Sequence, residues 1–434
     1  MVEYIQTIRH RNFTKLWLAQ ILSQVAANLL NFALIILVYN LTQQTRFANL
    51  SVSLLVLSFA VPAILSAPVA GAYVDYWDRK KVLVATNALR TVLVLLYIPA
   101  ANNLIWILVL TFVIAVVGQF FMPAEAATIP RTVPKQNLLA ANSLFVFSLY
   151  GSFMVGYSAS GPAVAAFGDH GAYYVTAIMF GLATLLTAWL PRYKVDKKTT
   201  KLPRLHLFRQ LKENWQIIRA HPDRSFALSQ MAITQGIVFV LITLAPALSL
   251  ALFKVPLQQA SHFIIIPVGV GMLVGVICLG FLNKVAGRRQ IIEASLFMSG
   301  LVLTLLGLSG QLYRTYHGEP LVDLVNIGLI VGGIMLVLGA MNSIINATAQ
   351  TLLQETTDDH NRGKVFSSLQ MLINISSTIP VFVTGILADL ISVTKVITIM
   401  GVILFAYAIA MLISSWLAAI RLKRSKPQNK TGAV

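Results

Sequence analysis

Gly71-Ala72-Tyr73-Val74-Asp75-Tyr76-Trp77-Asp78-Arg79-Lys80-Lys81 is a short charged stretch between two long apolar runs. Each of these runs is long enough to cross a bilayer as a helix. A basic segment this short between two crossings predicts a tight turn on the cytoplasmic side of the membrane. Asp75 follows Gly71 by four residues, and the pair Arg79-Lys80 comes four to five residues after Asp75.

The composition of the whole chain is that of an integral membrane protein. Of its 434 residues, 57% are hydrophobic and only 11% are charged. A membrane-crossing helix needs about 20 mostly apolar residues. Twelve such windows predict helices 1 to 12 at 13–39, 50–72, 82–100, 104–124, 139–166, 172–190, 225–252, 263–283, 290–312, 323–347, 365–390 and 396–419. We therefore expect an all-α membrane protein with twelve transmembrane helices.

The positive charge sorts by side of the membrane. The net charge is +18, and 28 of the 33 basic residues fall in one set of alternate loops and ends. Four lie on the other side, at Arg46, Lys254, Arg314 and Lys395, and Arg90 lies inside a helix. By the positive-inside rule, both termini are cytoplasmic in a multi-pass protein of the cell (plasma or inner) membrane. Topology explains the basic excess, so we expect no nucleic-acid partner.

Internal repeats divide the chain into two halves. Three sequence anchors recur in the same order, with offsets of 213, 209 and 225 residues. The second repeats the glycine and basic pair of Gly71…Arg79-Lys80 as Gly280…Arg288-Arg289. Inverted or parallel repeats are common in secondary transporters. The predicted organisation is two pseudo-symmetric six-helix bundles, 1–190 and 225–420, a linker, 191–224, and a basic cytoplasmic tail, 421–434.

The linker carries a predicted amphipathic helix. Its apolar residues at helical spacing are Leu207, Phe208, Leu211, Trp215 and Ile218. Such a helix lies in the membrane interface. The segment 191–224 is either a plain linker that lipid anchors to the membrane, or a functional element such as a hinge or a lipid sensor.

Several motifs in order resemble the macrolide and siderophore efflux branch of the major facilitator superfamily. Besides the opening stretch, they are Arg11-Asn12-Phe13, Pro123-Ala124-Glu125-Ala126-Ala127, Ala141-Asn142-Ser143-Leu144 and Asn361-Arg362-Gly363-Lys364. The resemblance implies a central cavity between two bundles that opens alternately to each side. It also implies that helices 1, 4, 7 and 10 line the cavity, with helices 2, 5, 8 and 11 at the bundle interface.

The resemblance gives the opening stretch a role as a conformational latch. Asp75 would face the N-terminus of helix 11, near Arg362 and Gly363, with Gly71, Arg79 and Lys80 completing the latch. The alternative is that the basic residues only obey the positive-inside rule. Asp78 stands where the family has a second glycine.

Helix 5 resembles a glycine-proline motif associated with antiporters. Gly156, Gly161 and Pro162 would form a gate, because small residues allow close approach and proline permits a bend. Simple close packing is the alternative.

Ionisable residues at membrane depth are functional candidates. Arg90 in helix 3 and Glu125 in helix 4 form a candidate proton site or a static ion pair. Asp389, toward the end of helix 11, is expected to be a solvated helix-end carboxylate.

Amides dominate the polar residues of the expected cavity helices. The candidate substrate residues are Gln24, Asn28, Asn31, Gln119, Gln235, Asn342 and Asn346. Hydrogen bonding between helices is the alternative for each of them. A cavity with amides and few charges suits neutral or amphiphilic substrates.

The functional hypothesis is a proton-coupled secondary transporter that exports a small amphiphilic molecule and works as a monomer. The alternatives are an importer or lipid-moving permease, or a membrane sensor or scaffold that does not transport. The sequence has no phosphate-binding Gly-x-x-x-x-Gly-Lys-Ser/Thr motif, which indicates a gradient as the energy source. We expect neither enzyme activity nor a cofactor. No metal site is predicted either, since the histidines show no ligand spacing.

Overall fold

The computed structural model describes residues 2–74, 77–167, 170–192, 216, 221–253, 264–315, 324–356 and 362–425. Its long helices are numbered α1 to α12 to match the predicted ones. They are α1 (Arg11–Thr42), α2 (Ala48–Leu65, continued by Ala67–Val74), α3 (Arg79–Leu95, continued by Tyr97–Ala100), α4 (Leu104–Thr128), α5 (Leu138–Phe167), α6 (Gly171–Ala188), α7 (Pro222–Phe253), α8 (Ile266–Val285), α9 (Arg288–Thr315), α10 (Leu324–Glu355), α11 (Arg362–Ile391) and α12 (Val393–Ser425). The linker prediction at 191–224 falls almost entirely outside the described residues.

The helices coincide with the predicted apolar windows and extend beyond most of them. The window 104–124, for example, lies within α4, which runs on to Thr128. The side chain of Asn103 caps α4 by accepting hydrogen bonds from the backbone N–H groups of Ile105 and Trp106, at 3.0 and 3.3 Å. Hydropathy marks only the part of a helix inside the bilayer, whereas backbone hydrogen bonding continues to the cap.

The all-helical membrane fold is confirmed. Within the described residues, eleven helices are long and apolar enough to cross a membrane. The remaining helix, α11, has 30 residues, and its described apolar segment is the shorter Thr378–Ile391. The twelfth crossing therefore stays a prediction.

Proline interrupts α2, which the sequence predicts as one helix over 50–72. The break lies at Ser66, between Pro62 and Pro68. Proline lacks the backbone N–H that would continue the helical ladder. The Ser66 N–H still bonds to the Pro62 carbonyl at 2.7 Å, so the two segments stay in contact.

Contacts between helix ends define two faces of the bundle. Lys15 near the start of α1 donates to the Trp189 carbonyl after α6, and Arg224 in α7 bonds the Thr356 carbonyl after α10. We call the face with these ends the terminal face, because α1 starts there. The opposite, distal face holds the end of α11 and the start of α2.

Close helix pairs frame the centre of the molecule. Gly271 and Gly275 of α8 lie against the backbone of Leu336 and Ala340 in α10, and an added Cβ at either glycine would collide with these backbones. The pair α8 and α10 forms one wall of a central cavity. Between the two halves, α11 packs along α2.

Candidate functional site

A cavity lies between α5, α7, α8 and α10, with Ser299 of α9 also in its lining. Most of its lining is aliphatic, and among the described residues no charged side chain lines it. Its polar lining groups are Tyr157, Thr234, Ser299 and Asn342. Such a cavity matches a ligand with a large apolar body and few polar groups.

The polar side of the cavity belongs to one hydrogen-bond network. Asn346 donates through Nδ2 to the Asn342 carbonyl at 2.8 Å, and it also contacts the Asn342 side-chain oxygen and the Thr234 hydroxyl, at 3.3 and 3.5 Å. Deeper in α7, Gln230 donates to the Tyr407 hydroxyl at 3.0 Å. The network holds Asn342 and Thr234 in place at the cavity surface.

An aromatic wall closes the cavity from the N-terminal half. Phe153 and Tyr157 are one turn apart on α5, with ring centroids 4.5 Å apart. Tyr157 also packs on Phe32 of α1, at 5.5 Å between centroids. The cavity therefore lies between the two halves, although α7, α8 and α10 provide most of its lining.

The structure places the seven predicted cavity amides differently from one another. Asn342 lines the cavity, and Asn346 lies one turn away and bonds to it. The other five are half-buried and do not line this cavity: Gln24, Asn28, Asn31, Gln119 and Gln235. A role of these residues in substrate binding stays a prediction.

On the distal face, Asp389 of α11 joins the two halves. Its Oδ1 accepts from the Asn49 backbone N–H at 3.0 Å and from the Asn49 amide at 2.8 Å, and its Oδ2 accepts from the Leu50 N–H at 2.9 Å. These N–H groups belong to the first turn of α2, where a helix has no internal partners for them and favours negative charge. Asp389 is a helix-end carboxylate, as expected, but it is half-buried and α2 supplies hydrogen-bond donors to it.

The same interface is tight along the distal half of α11. The Ser53 hydroxyl donates to the Val381 carbonyl at 3.0 Å, and Gly385 lies against the Ser53 side chain. The two halves also meet where α8 faces α5: a Cβ added at Gly269 of α8 would meet the side chain of Met154 of α5 at 2.7 Å. Nothing lies within 4 Å of a Cβ added at Gly151 or Gly280, both nearer the terminal face. The two halves therefore meet in the distal part of the bundle.

A strained turn follows Asp389. Ser392 links α11 to α12 and has φ 104°. In the described part of the chain, it is the non-glycine residue with a positive φ. Side chains rarely adopt this backbone conformation. The turn brings α12 directly back from the end of α11, three residues after the carboxylate that caps α2.

The predicted latch is described only in part. Gly71 lies in the second segment of α2, and α11 begins at Arg362. Arg79 is the first residue of α3 and donates to the Ala127 carbonyl near the end of α4, at 2.9 Å. Asp75 lies outside the described residues, and so do the contacts of Arg362 and Gly363.

Asp78 has a local role at the position where the family has a glycine. Its carboxylate accepts from the backbone N–H groups of Lys80 and Lys81, at 3.0 and 3.4 Å, and so caps α3. An aspartate at this position stabilises the helix start through the same unpaired N–H groups.

The predicted gate on α5 shows one close approach. A Cβ at Gly156 would meet the Asn28 side chain at 2.6 Å and the Val25 carbonyl at 2.7 Å, both on α1. Gly161 is buried, Pro162 is exposed, and α5 continues through both. Close packing accounts for Gly156, and the gate stays a prediction.

Arg90 and Glu125 lie inside the N-terminal half, away from the cavity. Their charges interact, but no nitrogen–oxygen contact within 4 Å joins these two described residues. The static ion pair is therefore not formed as a direct contact.

Comparison with known proteins assigns the chain to a family. The sequence model of the Major Facilitator Superfamily matches residues 16–379 and 268–433. The chain belongs to the major facilitator superfamily. The resemblance seen in the sequence is confirmed, and membership makes this chain a membrane transporter.

Relatives within the major facilitator superfamily include efflux proteins. The MFS-type transporter YfiS of Bacillus subtilis (strain 168), described as uncharacterized, is 26% identical over 390 residues, which are 87% of this chain and 88% of that protein. Macrolide efflux protein A of Streptococcus pyogenes is 24% identical over 420 residues, or 92% and 94% of the two chains. A crystal structure of the nucleoside transporter NupG superposes with TM-score 0.70 at 14% identity, covering 92% of this chain and 99% of that one.

Sequence reasoning missed three features of this major facilitator protein. Asp389 was visible as a carboxylate near a helix end, but its partner lies 340 residues away. Phe153 and Tyr157 resemble any other apolar membrane residues. Nothing in the sequence around Ser392 indicates its positive φ.

Proposed function

We propose that this chain exports a small, uncharged amphiphilic molecule by alternating access, driven by the proton gradient across the cell membrane. The terminal face is then cytoplasmic, because the basic loops and ends belong to it. Membership of the family gives transport across a membrane; the export direction and the proton coupling are what we propose beyond it.

The observation that carries the proposal is the cavity between the halves. Its lining is apolar with one amide edge at Asn342, and the halves are joined on the distal side of it by Asp389. A neutral amphiphile loses little hydration in such a site, whereas a permanent charge would have no partner there. The cavity therefore selects against strongly ionic substrates.

A reciprocal use of α2 and α11 supports the proposal of alternating access. In the state described, Asp389 at the end of α11 caps the start of α2 on the distal face. In the opposite state, Asp75 after α2 would cap the start of α11 on the terminal face. Each carboxylate can stabilise only one state, since closing one face separates the halves at the other.

The substrate class is consistent with the efflux relatives. One relative, 24% identical to this chain, is named as a macrolide efflux protein. A macrolide has a large apolar ring, and its amine is uncharged once deprotonated, so its neutral form has the chemistry that the cavity favours. We therefore include a macrolide among the first compounds to test.

Transport in everted membrane vesicles tests the proposal. Vesicles with the wild-type chain should accumulate radiolabelled erythromycin or chloramphenicol when a proton gradient is imposed, compared with vesicles lacking the chain. A protonophore should abolish this accumulation. Accumulation that persists with the protonophore would exclude proton coupling, and movement only in the opposite direction would exclude export.

A further inference from the structure

Several buried polar groups lie inside the N-terminal half, outside the substrate cavity. Ser23 of α1 donates to the Asn87 side chain of α3 at 3.0 Å, and both residues are buried. Arg90 lies one turn after Asn87 on the same side of α3. Gln20, Asn87, Arg90 and Glu125 each have a buried polar side-chain atom without a hydrogen-bond partner in the protein.

Arg90 is held in a pocket that fits its guanidinium group. The group lies over the rings of Phe121 and Phe180, at 5.6 and 5.4 Å from their centroids. An added Cβ at Gly118 would collide with Arg90 Nη2. Glycine at this position leaves the space that the cation occupies, and the two rings stabilise it in an apolar environment.

Glu125 is buried, with 5% of its surface exposed, next to the apolar cluster around Phe121 and Ala124. Its Oε1 has no hydrogen-bond partner. An ionised carboxylate in such a place is costly, so the neutral acid is favoured over a charge without a direct partner. Glu125 thus differs from a carboxylate that is ionised and held in a structural ion pair.

Glu293 in α9 is a buried carboxylate that is held in a structural ion pair. It is 1% exposed, but Arg289 approaches its Oε1 at 3.0 Å and the Ser415 hydroxyl donates to the same oxygen at 2.6 Å. The two buried glutamates of the described residues therefore form a matched pair, one without direct partners and one with them.

Most charged groups on the helices packed against α4 are basic. In the described residues the basic ones are Arg11 and Lys15 at the start of α1, Arg79, Lys80, Lys81 and Arg90 in α3, and Arg131 after α4, and the acidic one is Asp78, which caps α3. Among them, Arg90 is near enough to Glu125 for the two charges to interact. The segments of α2 near α4 carry no acidic residue through Val74.

We propose that Glu125 is the proton-binding site of the transport cycle and that it is separate from the substrate cavity. A proton from water converts its carboxylate to the neutral carboxyl group, and release of the same proton to the opposite compartment restores the carboxylate. The deprotonated form is drawn toward Arg90, which couples the position of α4 to that of α3. This inference rests on the proposed proton coupling and assigns it to a residue.

Separate sites have a mechanistic consequence. Neither Arg90 nor Glu125 lines the cavity, so proton and substrate do not compete for one group. Coupling then passes through movement of the helices, because binding at each site favours one of the two states.

Chemical labelling tests the site without relying on transport. Dicyclohexylcarbodiimide enters membranes and reacts with protonated carboxyl groups, and mass spectrometry locates the product. In the purified wild-type chain in liposomes, Glu125 should be labelled, and the labelling should fall as the pH is raised. Glu293 should be labelled far less. An unlabelled Glu125, labelling that does not change with pH, or equal labelling of Glu293 would overturn the proposal.

Substitution then links the site to coupling. The substituted protein is placed in proteoliposomes with radiolabelled erythromycin or chloramphenicol. Accumulation of the compound driven by a pH gradient should be about tenfold lower for E125Q than for the wild type, while exchange of the compound across the membrane without a gradient should fall less. E293Q is the control and should keep gradient-driven accumulation. E125D retains an acid and should retain coupling. Full gradient-driven accumulation by E125Q would refute the assignment even if the chain exports the compound.

Discussion

Asp389 near the end of α11 binds both the backbone N–H and the side-chain amide of Asn49 in the first turn of α2, at 3.0 and 2.8 Å. A single carboxylate thus caps a helix that belongs to the other half of the molecule. Hydrogen bonds to a charged group contribute about 1.5–3 kcal/mol each. An interaction of this size is enough to decide which of two states is populated, since about 1.4 kcal/mol changes the ratio tenfold.

Replacing Asp389 by asparagine should weaken the distal closure. The neutral amide keeps the shape but loses the charge that the start of α2 favours. Spin labels at F47C and L390C, in a C278S background, should show a new population at longer distance in D389N. D223N, in the first turn of α7, is the control and should leave the distance distribution unchanged. An identical distribution in D389N would show that the cap does not hold this face closed.

Glycine at position 392 should stabilise the protein. Ser392 has φ 104°, a conformation that costs a non-glycine residue about 1 kcal/mol or more. S392G removes that strain, and thermal unfolding in detergent should shift upward. S414G, in the exposed part of α12, should shift it downward because glycine weakens a helix interior. A downward shift for S392G would contradict the strain.

Alanine at position 156 should separate α1 from α5. Its Cβ would lie 2.7 Å from the Val25 carbonyl, which is backbone and cannot rotate away. We expect G156A to destabilise the protein by about 1–3 kcal/mol, measured by thermal unfolding. G151A, on the same helix but with nothing within 4 Å, should leave the stability unchanged or raise it slightly, because glycine weakens a helix interior. Equal stability of G156A and the wild type would show that α1 and α5 are not in close contact at Gly156.

The amide edge of the cavity should affect substrate affinity. N342L replaces an amide at the cavity surface by an apolar group, and loss of one hydrogen bond should raise KM about tenfold with less effect on kcat. Q119L changes an amide that does not line the cavity and should behave as the wild type. The measurement is the concentration dependence of erythromycin and chloramphenicol transport. A larger effect of Q119L than of N342L would place the binding site elsewhere.

The fold was predictable because the bilayer imposes a strong local pattern. Twelve apolar windows located twelve helices within a few residues, since every segment in lipid must satisfy its own backbone. The break at Ser66 within the window 50–72 was not predicted, although Pro62 and Pro68 were its visible cause.

The site was less predictable because polarity alone does not assign a residue to the cavity. Asn342 and Gln119 look alike in sequence, yet only Asn342 lines the cavity. Apolar residues such as Phe153 are equally suited to lipid and to substrate. The partner of Asp389 depends on how two distant helices pack, which no local pattern encodes.

Gradient-driven transport by the purified chain tests the central claim most directly. Wild-type protein in liposomes, oriented by protease access to its termini, is given a pH gradient and radiolabelled erythromycin or chloramphenicol. The account predicts movement of at least one compound from the terminal to the distal side, against its concentration gradient and abolished by a protonophore. Movement that ignores the proton gradient, or that runs only from the distal to the terminal side, would contradict it.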